Sequence, residues 1–167
     1  EEQYLMSNIF DKTFEIVTSL NLKVVDKDLD RPWGGFFVIS ENDAQDFSNI
    51  YFNGLNTEEL KVLGKLSPKI LIIAPNKRLS WQYHHRRSEI WKVVSGNIKV
   101  VTSLDDLERK EKILKEGDEI RLSKGERHRI IGMDEYAVVA EIWIHTDKNN
   151  PSDEYDILRI KDDFDRY

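Results

Sequence analysis

The chain has 167 residues, and its 31 acidic and 25 basic side chains give a formal net charge of −6. This length predicts one domain with a substantial core, and the negative charge argues against a general nucleic-acid binder. The absence of cysteine excludes disulfides, thiolate nucleophiles and cysteine-ligated zinc. No apolar run approaches the ~20 residues of a membrane span. Because the acidic N-terminus also lacks a signal-type stretch, we expect a cytoplasmic protein without a membrane partner.

Residues 1–30 are predicted to form an N-terminal extension. Apolar side chains recur at helical spacing between Phe10 and Leu20, which predicts an amphipathic helix over residues 8–22. The alternation of Phe14 and Ile16 keeps a strand open as the alternative. A strand at residues 22–26 is expected next, then a turn around Pro32 and a second strand at residues 36–39.

Residues 41–66 are predicted to form a helical insertion beside the main strands. The two helices are expected at residues 43–52 and 57–63, and Asn56 with Glu59 three positions later is typical of a helix start. A buried strand at residues 69–74 should follow. An insertion of this kind is suited to shaping a pocket or an interface.

The rest of the chain is rich in β-branched runs separated by turn residues. Residues 89–95 and 98–102 are predicted to pair as a hairpin across Gly96 and Asn97. The charged stretch 105–114 is interpreted as a loop and an exposed strand. Further strands are expected at residues 119–122, 129–131 and 136–144, and this regular spacing predicts an all-β sandwich or barrel.

Four polar side chains are candidate metal ligands, and three of them lie close together in sequence. Gln82 and His84 are two residues apart, so on a strand they leave the same face. Glu89 follows far enough along for a turn to bring it back beside them, and His128 opens a later strand. Imidazole, carboxylate and amide donors suit a divalent ion such as zinc, with Mn, Co, Fe and Ni as alternatives.

These residues resemble the paired motifs of the cupin superfamily. The first motif, a His-x-His pair followed by glutamate and glycine, reads Gln82, His84, Glu89 and Gly96 here. The second runs from Gly117 through a glycine turn to His128. Glutamine in place of the first histidine is the pattern of phosphomannose isomerases. The resemblance implies a double-stranded β-helix, the jelly-roll barrel, with short helical additions, and Gln82, His84, Glu89 and His128 as the metal ligands.

The resemblance is closer to the type II phosphomannose isomerase domain. The matching stretches are RPWG, LSWQYHHRRSEIWKVVSG, GDEIRLSKGERH and DILRIKDDFDR, in the family's order between Arg31 and Arg166. It implies a standalone, metal-dependent sugar-phosphate isomerase of carbohydrate metabolism, converting mannose 6-phosphate to fructose 6-phosphate through a cis-enediol. The alternatives are a non-catalytic sugar-binding or regulatory cupin and another cupin enzyme such as an epimerase. A homodimer is expected, since cupins commonly form one.

The same resemblance suggests which residues act on the substrate. Arg159 falls on the active-site arginine of the isomerases, and Glu89, metal-bound water or a residue of the insertion could be the general base. Arg86 stands where type II enzymes have a third histidine, which replaces a titratable group by a fixed cation. The predicted substrate-binding residues are basic: Arg86, Arg87, Lys77, Arg31 and Arg166.

Overall fold

The computed structural model describes residues 2–167, with side chains from residue 9 onward. The strands described are β1 Val24–Arg31, β2 Gly34–Ile39, β3 Lys69–Ile73, β4 Trp81–Tyr83, β5 Arg87–Ser95, β6 Ile98–Ser103, β7 Lys112–Leu114, β8 Glu119–Leu122, β9 Arg127–Gly132, β10 Ala137–His145 and β11 Leu158–Lys161. The helices are α1 Glu2–Ser19, a 3₁₀ turn Glu41–Asp43, α2 Ala44–Tyr51 and α3 Thr57–Leu60. Among the described residues, no helix is long and apolar enough to cross a membrane.

The strands form two antiparallel sheets. One has the order β1-β2-β3-β10-β5-β8 and the other β11-β4-β9-β6-β7. Neighbours within each sheet are mostly distant in sequence, so the chain crosses repeatedly between the sheets, as in a jelly-roll barrel. The predicted all-β cupin fold with short helical additions is confirmed.

An apolar core fills the space between the sheets. Strand residues alternate between faces, so Trp91 and Val93 of β5 and Ile98 and Val100 of β6 point inward from the two sheets. The other buried members are Trp33, Phe36, Leu71, Ile73, Leu114, Leu122, Ile130, Ala137 and Val139. Polar side chains are buried in the barrel interior as well, among them His84, Glu89 and His128.

A second apolar layer covers the outside of the six-stranded sheet. Phe36 faces the barrel interior, whereas its neighbour Phe37 faces outward and packs in a cluster that includes Phe10 of α1 and Phe47 of α2. β2 and its neighbour β3 are therefore buried on both faces. This explains why their sequences are continuous apolar runs rather than alternating ones. The predicted N-terminal helix is confirmed, at Glu2–Ser19.

The helices predicted within residues 41–66 are present. The side chain of Asn56 accepts hydrogen bonds from the amides of Glu58 and Glu59, as expected for a helix cap. The second helix is shorter than predicted because Lys61 adopts an extended conformation, at φ −63° and ψ 139°, and ends it. That this segment is an insertion stays a prediction.

One sequence expectation for the strands is wrong, and a second strand is present with different bounds. The predicted hairpin across Gly96 does not form, since β5 pairs with β8 and β10 while β6 pairs with β7 and β9. Gly96, at φ +74°, instead turns the chain from one sheet to the other, and a side chain there would meet the carbonyl of Tyr136. The strand predicted at residues 22–26 extends to Arg31 because its pairing with β2 continues to Gly34.

Candidate metal centre and cavity

Three neighbouring strands of the smaller sheet place polar side chains in one row. Gln82 of β4 lies opposite His128 of β9 on one side and opposite Arg159 of β11 on the other. Directly opposed residues in antiparallel strands leave the same face of the sheet. Residues far apart in sequence therefore meet on one face of this sheet.

His84, Glu89 and His128 form a buried group that could hold a metal ion, with one potential ligand atom of each within 4.8 Å of the others. The Nε2 atoms of His84 and His128 are 3.2 Å apart. The Glu89 carboxylate oxygens lie 3.5 Å from the first and 3.4 Å from the second. Three of the four predicted ligands thus converge on one point.

Backbone carbonyls fix the orientation of both imidazole rings. His84 Nδ1 lies 2.6 Å from the carbonyl oxygen of Asp156, and His128 Nδ1 lies 3.1 Å from that of Glu126. Because a carbonyl only accepts, each Nδ1 carries the proton and each Nε2 presents its lone pair. Histidine ligands of metals are usually held in this way through the other ring nitrogen.

The charge states of the group also suit a cation. Burial lowers the pKa of His84 to about 3, against the opposing effect of Glu89, and burial lowers the pKa of His128 as well. Burial opposes the ionisation of Glu89, but His84 and Arg87 outweigh it and lower the pKa of Glu89 to about 2. At neutral pH the group is two neutral imidazoles and a carboxylate, the protonation states needed for ligation.

One atom of the group is left without a partner. Glu89 Oε1 accepts from Arg87 Nε at 3.0 Å, whereas Oε2 is buried and has no hydrogen bond. A buried carboxylate oxygen without a partner is costly. Together with the lone pair of His128 Nε2 and that of His84 Nε2, which Arg87 Nη2 approaches to 3.2 Å, it fits a divalent cation.

The side chain of Gln82, the fourth predicted ligand, is buried beside the group. Its Nε2 donates to the carbonyl oxygen of Ser80 at 3.4 Å. An amide held by its nitrogen leaves its oxygen free to act as a ligand. Its role in metal binding stays a prediction.

A cavity of about 1150 Å³ opens beside this group. Glu89, His128 and Gln82 line it, whereas His84 is not one of its lining residues. Its walls also include apolar side chains, among them Trp33, Phe36, Leu71, Trp91 and Trp143. A cavity of this size accommodates a ligand as large as a sugar phosphate.

Four predicted substrate-binding or catalytic arginines line the cavity: Arg31, Arg87, Arg159 and Arg166. Arg166 is paired in two hydrogen bonds with Asp162, and Arg31 Nε lies 3.1 Å from Asp28. Arg159 donates from Nη1 to the carbonyl oxygen of Arg166, and its buried Nε has no partner. Burial and the positive charge of Arg166 lower the pKa of Arg159, so Arg159 has both spare donors and a positive neighbour.

The other predicted basic residues lie elsewhere or are already engaged. Arg87 lines the cavity but is buried and bound to Glu89, to Ser152 Oγ and to the carbonyl oxygen of Asp153. Arg86 is directed to Asp153, and neither it nor Lys77 lines the cavity. The predicted contact of Arg86, Arg87 and Lys77 with substrate stays a prediction.

Asp156 and Glu141 are site residues that sequence reasoning missed. The Asp156 carboxylate accepts from the backbone amides of His85 and Arg86 and from Ser152 Oγ, which holds the loop that follows His84. Glu141 is buried in the cavity wall. A single glutamate inside the apolar run AVVAEIWI was a signal for Glu141. Asp156 opens the matching stretch DILRIKDDFDR, but nothing in the sequence marks its carboxylate as the partner of residues 85 and 86.

A polar group of two histidines and a glutamate, buried between two antiparallel jelly-roll sheets, defines a cupin. The family model Mannose-6-phosphate isomerase C-terminal matches residues 41–162. This match covers well over half of the chain, which therefore belongs to that family. It includes residues 41–66, predicted above as an insertion. No curated protein matches the chain.

The chain also resembles solved structures. CapF, the capsular polysaccharide assembling protein from Staphylococcus aureus, aligns with a TM-score of 0.56 at 17% identity over 84% of this chain and 32% of that chain. The DMSP lyase DddQ from Ruegeria pomeroyi DSS-3 aligns with a TM-score of 0.44 at 15% identity over 55% of this chain and 44% of that chain. The chain thus spans less than half the length of either protein. At these identities the likeness to CapF concerns the fold alone.

Proposed function

We propose that the chain is a metal-dependent aldose–ketose isomerase of a hexose 6-phosphate, with mannose 6-phosphate and fructose 6-phosphate as the substrate pair. One observation carries this proposal: Arg159, Gln82 and His128 lie in register on one sheet face, beside Glu89, at the wall of a single cavity. A ligand group and an arginine with spare donors thus face the same space. Membership of the mannose-6-phosphate isomerase C-terminal family supports this choice of substrate.

The residues present suit chemistry through an enediol. When bound, a divalent ion would polarise the oxygens of the sugar and stabilise negative charge on them. Gln82, His84, Glu89 and His128 would hold it. Arg159 stays protonated at any working pH and presents donors in a fixed fork. It can therefore stabilise the developing oxyanion without exchanging a proton with it.

The phosphate is assigned to the arginine side of the cavity. Arg31 and Arg166 line this side together with Arg159, and bidentate guanidinium contacts are well suited to phosphate. Arg31 and Arg166 are balanced by Asp28 and Asp162, whereas no carboxylate of the described residues accepts a hydrogen bond from Arg159. A dianion would supply the missing negative charge.

The experiment is proton exchange at C2 of the sugar. Zinc-loaded protein should interconvert mannose 6-phosphate and fructose 6-phosphate and should exchange the C2 proton with D₂O, because an enediol intermediate gives up that proton. A chelator should abolish the exchange and added zinc should restore it. Mannose without phosphate is the matched control substrate and should exchange more slowly.

The opposite result would identify a different function. Tight binding of a sugar phosphate without exchange, for every hexose phosphate tried, would replace the isomerase by a binding or regulatory cupin. Product with inverted configuration at one carbon and no ketose would indicate an epimerase. The homodimer predicted from the sequence is proposed as the working assembly, to be tested by the mass of the protein in solution.

A further inference from the structure

Glu141 is a buried carboxyl group that no role described above uses. It lies on β10, opposite Trp91 of β5 on one side and Lys69 of β3 on the other. Trp91 and Glu89 are two residues apart on β5 and leave the same face. Glu141 is therefore the diagonal neighbour of Glu89 across the strand pair, at about 7–8 Å between Cα atoms. Both carboxyl groups line the cavity.

Two indole groups hold the carboxyl group in place. Trp91 Nε1 donates to Glu141 Oε2 at 2.9 Å, and Trp143 Nε1 donates to Oε1 at 2.7 Å. Indole nitrogen is only a donor, so these contacts favour the ionised carboxylate and fix its plane. Each carboxylate oxygen keeps further acceptor capacity, so the group is oriented but not saturated.

We propose that Glu141 is the general base of the isomerisation, moving a proton between the two reacting carbons of an open-chain sugar phosphate. This inference rests on the proposed function. Glu89 is unsuited to the task because it belongs to the ligand group and already accepts from Arg87. Glu141 faces the same cavity, belongs to no ligand group and is held rigidly.

The proposed step balances without a co-reactant. Glu141 takes the C2 proton of the aldose, the C2–H electron pair forms the C1–C2 double bond, and the carbonyl pair moves to O1. The proton on O2 then passes to O1, the C2 carbonyl forms, and Glu141 returns its proton to C1. The ketose that results has the composition of the aldose.

The charges around Glu141 suit a proton carrier. Burial raises its pKa and the negative charge of Glu89 adds to this, while Lys69 and Arg87 oppose it, so the pKa of Glu141 is about 7. Lys69 is itself paired with Glu154 and lies over the ring of Trp143. Of the charged groups that face Glu141, Lys69 lies on β3, Glu89 and Arg87 lie on β5, and Glu154 lies in the loop after β10. A base is most effective when its pKa is near the working pH.

Glu141→Gln tests the proposal through exchange of the C2 proton. We expect exchange to fall by ~10²–10⁴-fold with little change in KM, since a positioned base contributes about that much. Glu119→Gln, an exposed carboxyl on β8, is the matched control and should exchange at the wild-type rate. Because glutamine places an amide hydrogen against one indole, Glu141→Asp is the second variant and should keep part of the activity.

Trp143→Phe separates a base from a merely structural carboxyl. Removing one donor to the carboxylate should raise the pKa of Glu141, so the acidic limb of the kcat/KM profile should move to higher pH. A structural role would lower the rate without moving that limb. Folding of each variant is checked by its melting curve.

The failure of this proposal is distinct from the failure of the isomerase assignment. If wild-type protein exchanges and Glu141→Gln exchanges equally well, Glu141 is not the base. If no sugar phosphate exchanges its C2 proton, an infrared difference titration of wild type against Glu141→Gln still tests whether Glu141 can carry a proton near neutral pH. A carboxyl band that titrates at ~6–8 supports a proton carrier, and one that titrates below ~5 overturns it.

Discussion

The carbonyl oxygen of Asp156 accepts a hydrogen bond of 2.6 Å from His84 Nδ1, across 72 positions of sequence. The carboxylate of the same residue accepts from the amides of His85 and Arg86 at 2.9 Å each. One residue of the C-terminal tail therefore fixes both the ring orientation of a candidate ligand and the loop that follows it. The tail is part of the site even though it supplies none of the converging ligand atoms.

Asp156→Ala should weaken zinc binding by ~10–100-fold, the usual effect of losing a residue that orients a ligand. The substitution keeps the carbonyl but removes the carboxylate that holds the loop, so His84 should lose its fixed position. The measurement is competition with a chromophoric chelator. Asp134→Ala, an exposed aspartate, is the control. Equal affinity for the two variants would show that the loop needs no carboxylate.

His128→Ala should abolish stoichiometric zinc binding, because it removes one of the two imidazole ligands and leaves only His84, Glu89 and the weaker amide of Gln82. Wild-type protein should bind one zinc per chain. His85 is exposed, so His85→Ala is the matched histidine control and should retain the metal. Metal analysis after dialysis measures both. Zinc retained by His128→Ala at full occupancy would contradict the converging site.

The residues that the sequence could predict are those with a local pattern. His84, Glu89 and His128 follow motif spacing, and each lies on or next to a strand whose alternation points it inward. Asp156 could not be found in this way, because its partners lie about 70 positions away. The hairpin across Gly96 was wrong for a related reason: a glycine turn serves a hairpin and a crossing between sheets equally well.

Core packing gives a third prediction. Phe47 of α2 is fully buried against the outer face of the six-stranded sheet, whereas Ile50 on the same helix is exposed. Phe47→Ala should therefore lower the free energy of unfolding by about 3–5 kcal/mol. Ile50→Ala should lower it by less than about 1 kcal/mol. Chemical unfolding measures both, and equal effects would mean that α2 does not pack on the sheet.

Acid should destabilise the metal-free protein. Burial lowers the pKa of His84 to about 3 and of His145 to about 4, from 6.5, so between these values the unfolded chain binds more protons. The free energy of unfolding should therefore fall as the pH drops from 7 to 5. Glu141 acts in the opposite sense, since its pKa is raised to about 7, but His128 adds to the two histidines. Urea unfolding at the two pH values decides; greater stability at pH 5 would mean that Glu141 dominates.

Arg159 provides the last prediction, which separates two roles for one guanidinium. Its Cα lies opposite Gln82, its side chain faces the cavity, and its Nε has no partner. If it stabilises the oxyanion of the enediolate, Arg159→Ala should lower kcat by ~10²–10³-fold. If it clamps the phosphate, the same change should mostly raise KM.

We expect Arg159→Ala to lower kcat rather than to raise KM, because Arg31 and Arg166 remain in the variant to bind the phosphate. Arg121→Ala removes an exposed arginine from the far edge of the six-stranded sheet and is the matched control. Zinc content and melting temperature should equal those of the wild type in both variants, since Arg159 contacts neither histidine of the ligand group by a hydrogen bond. A near-normal kcat for Arg159→Ala would remove Arg159 from the reaction and leave the developing charge to the metal alone.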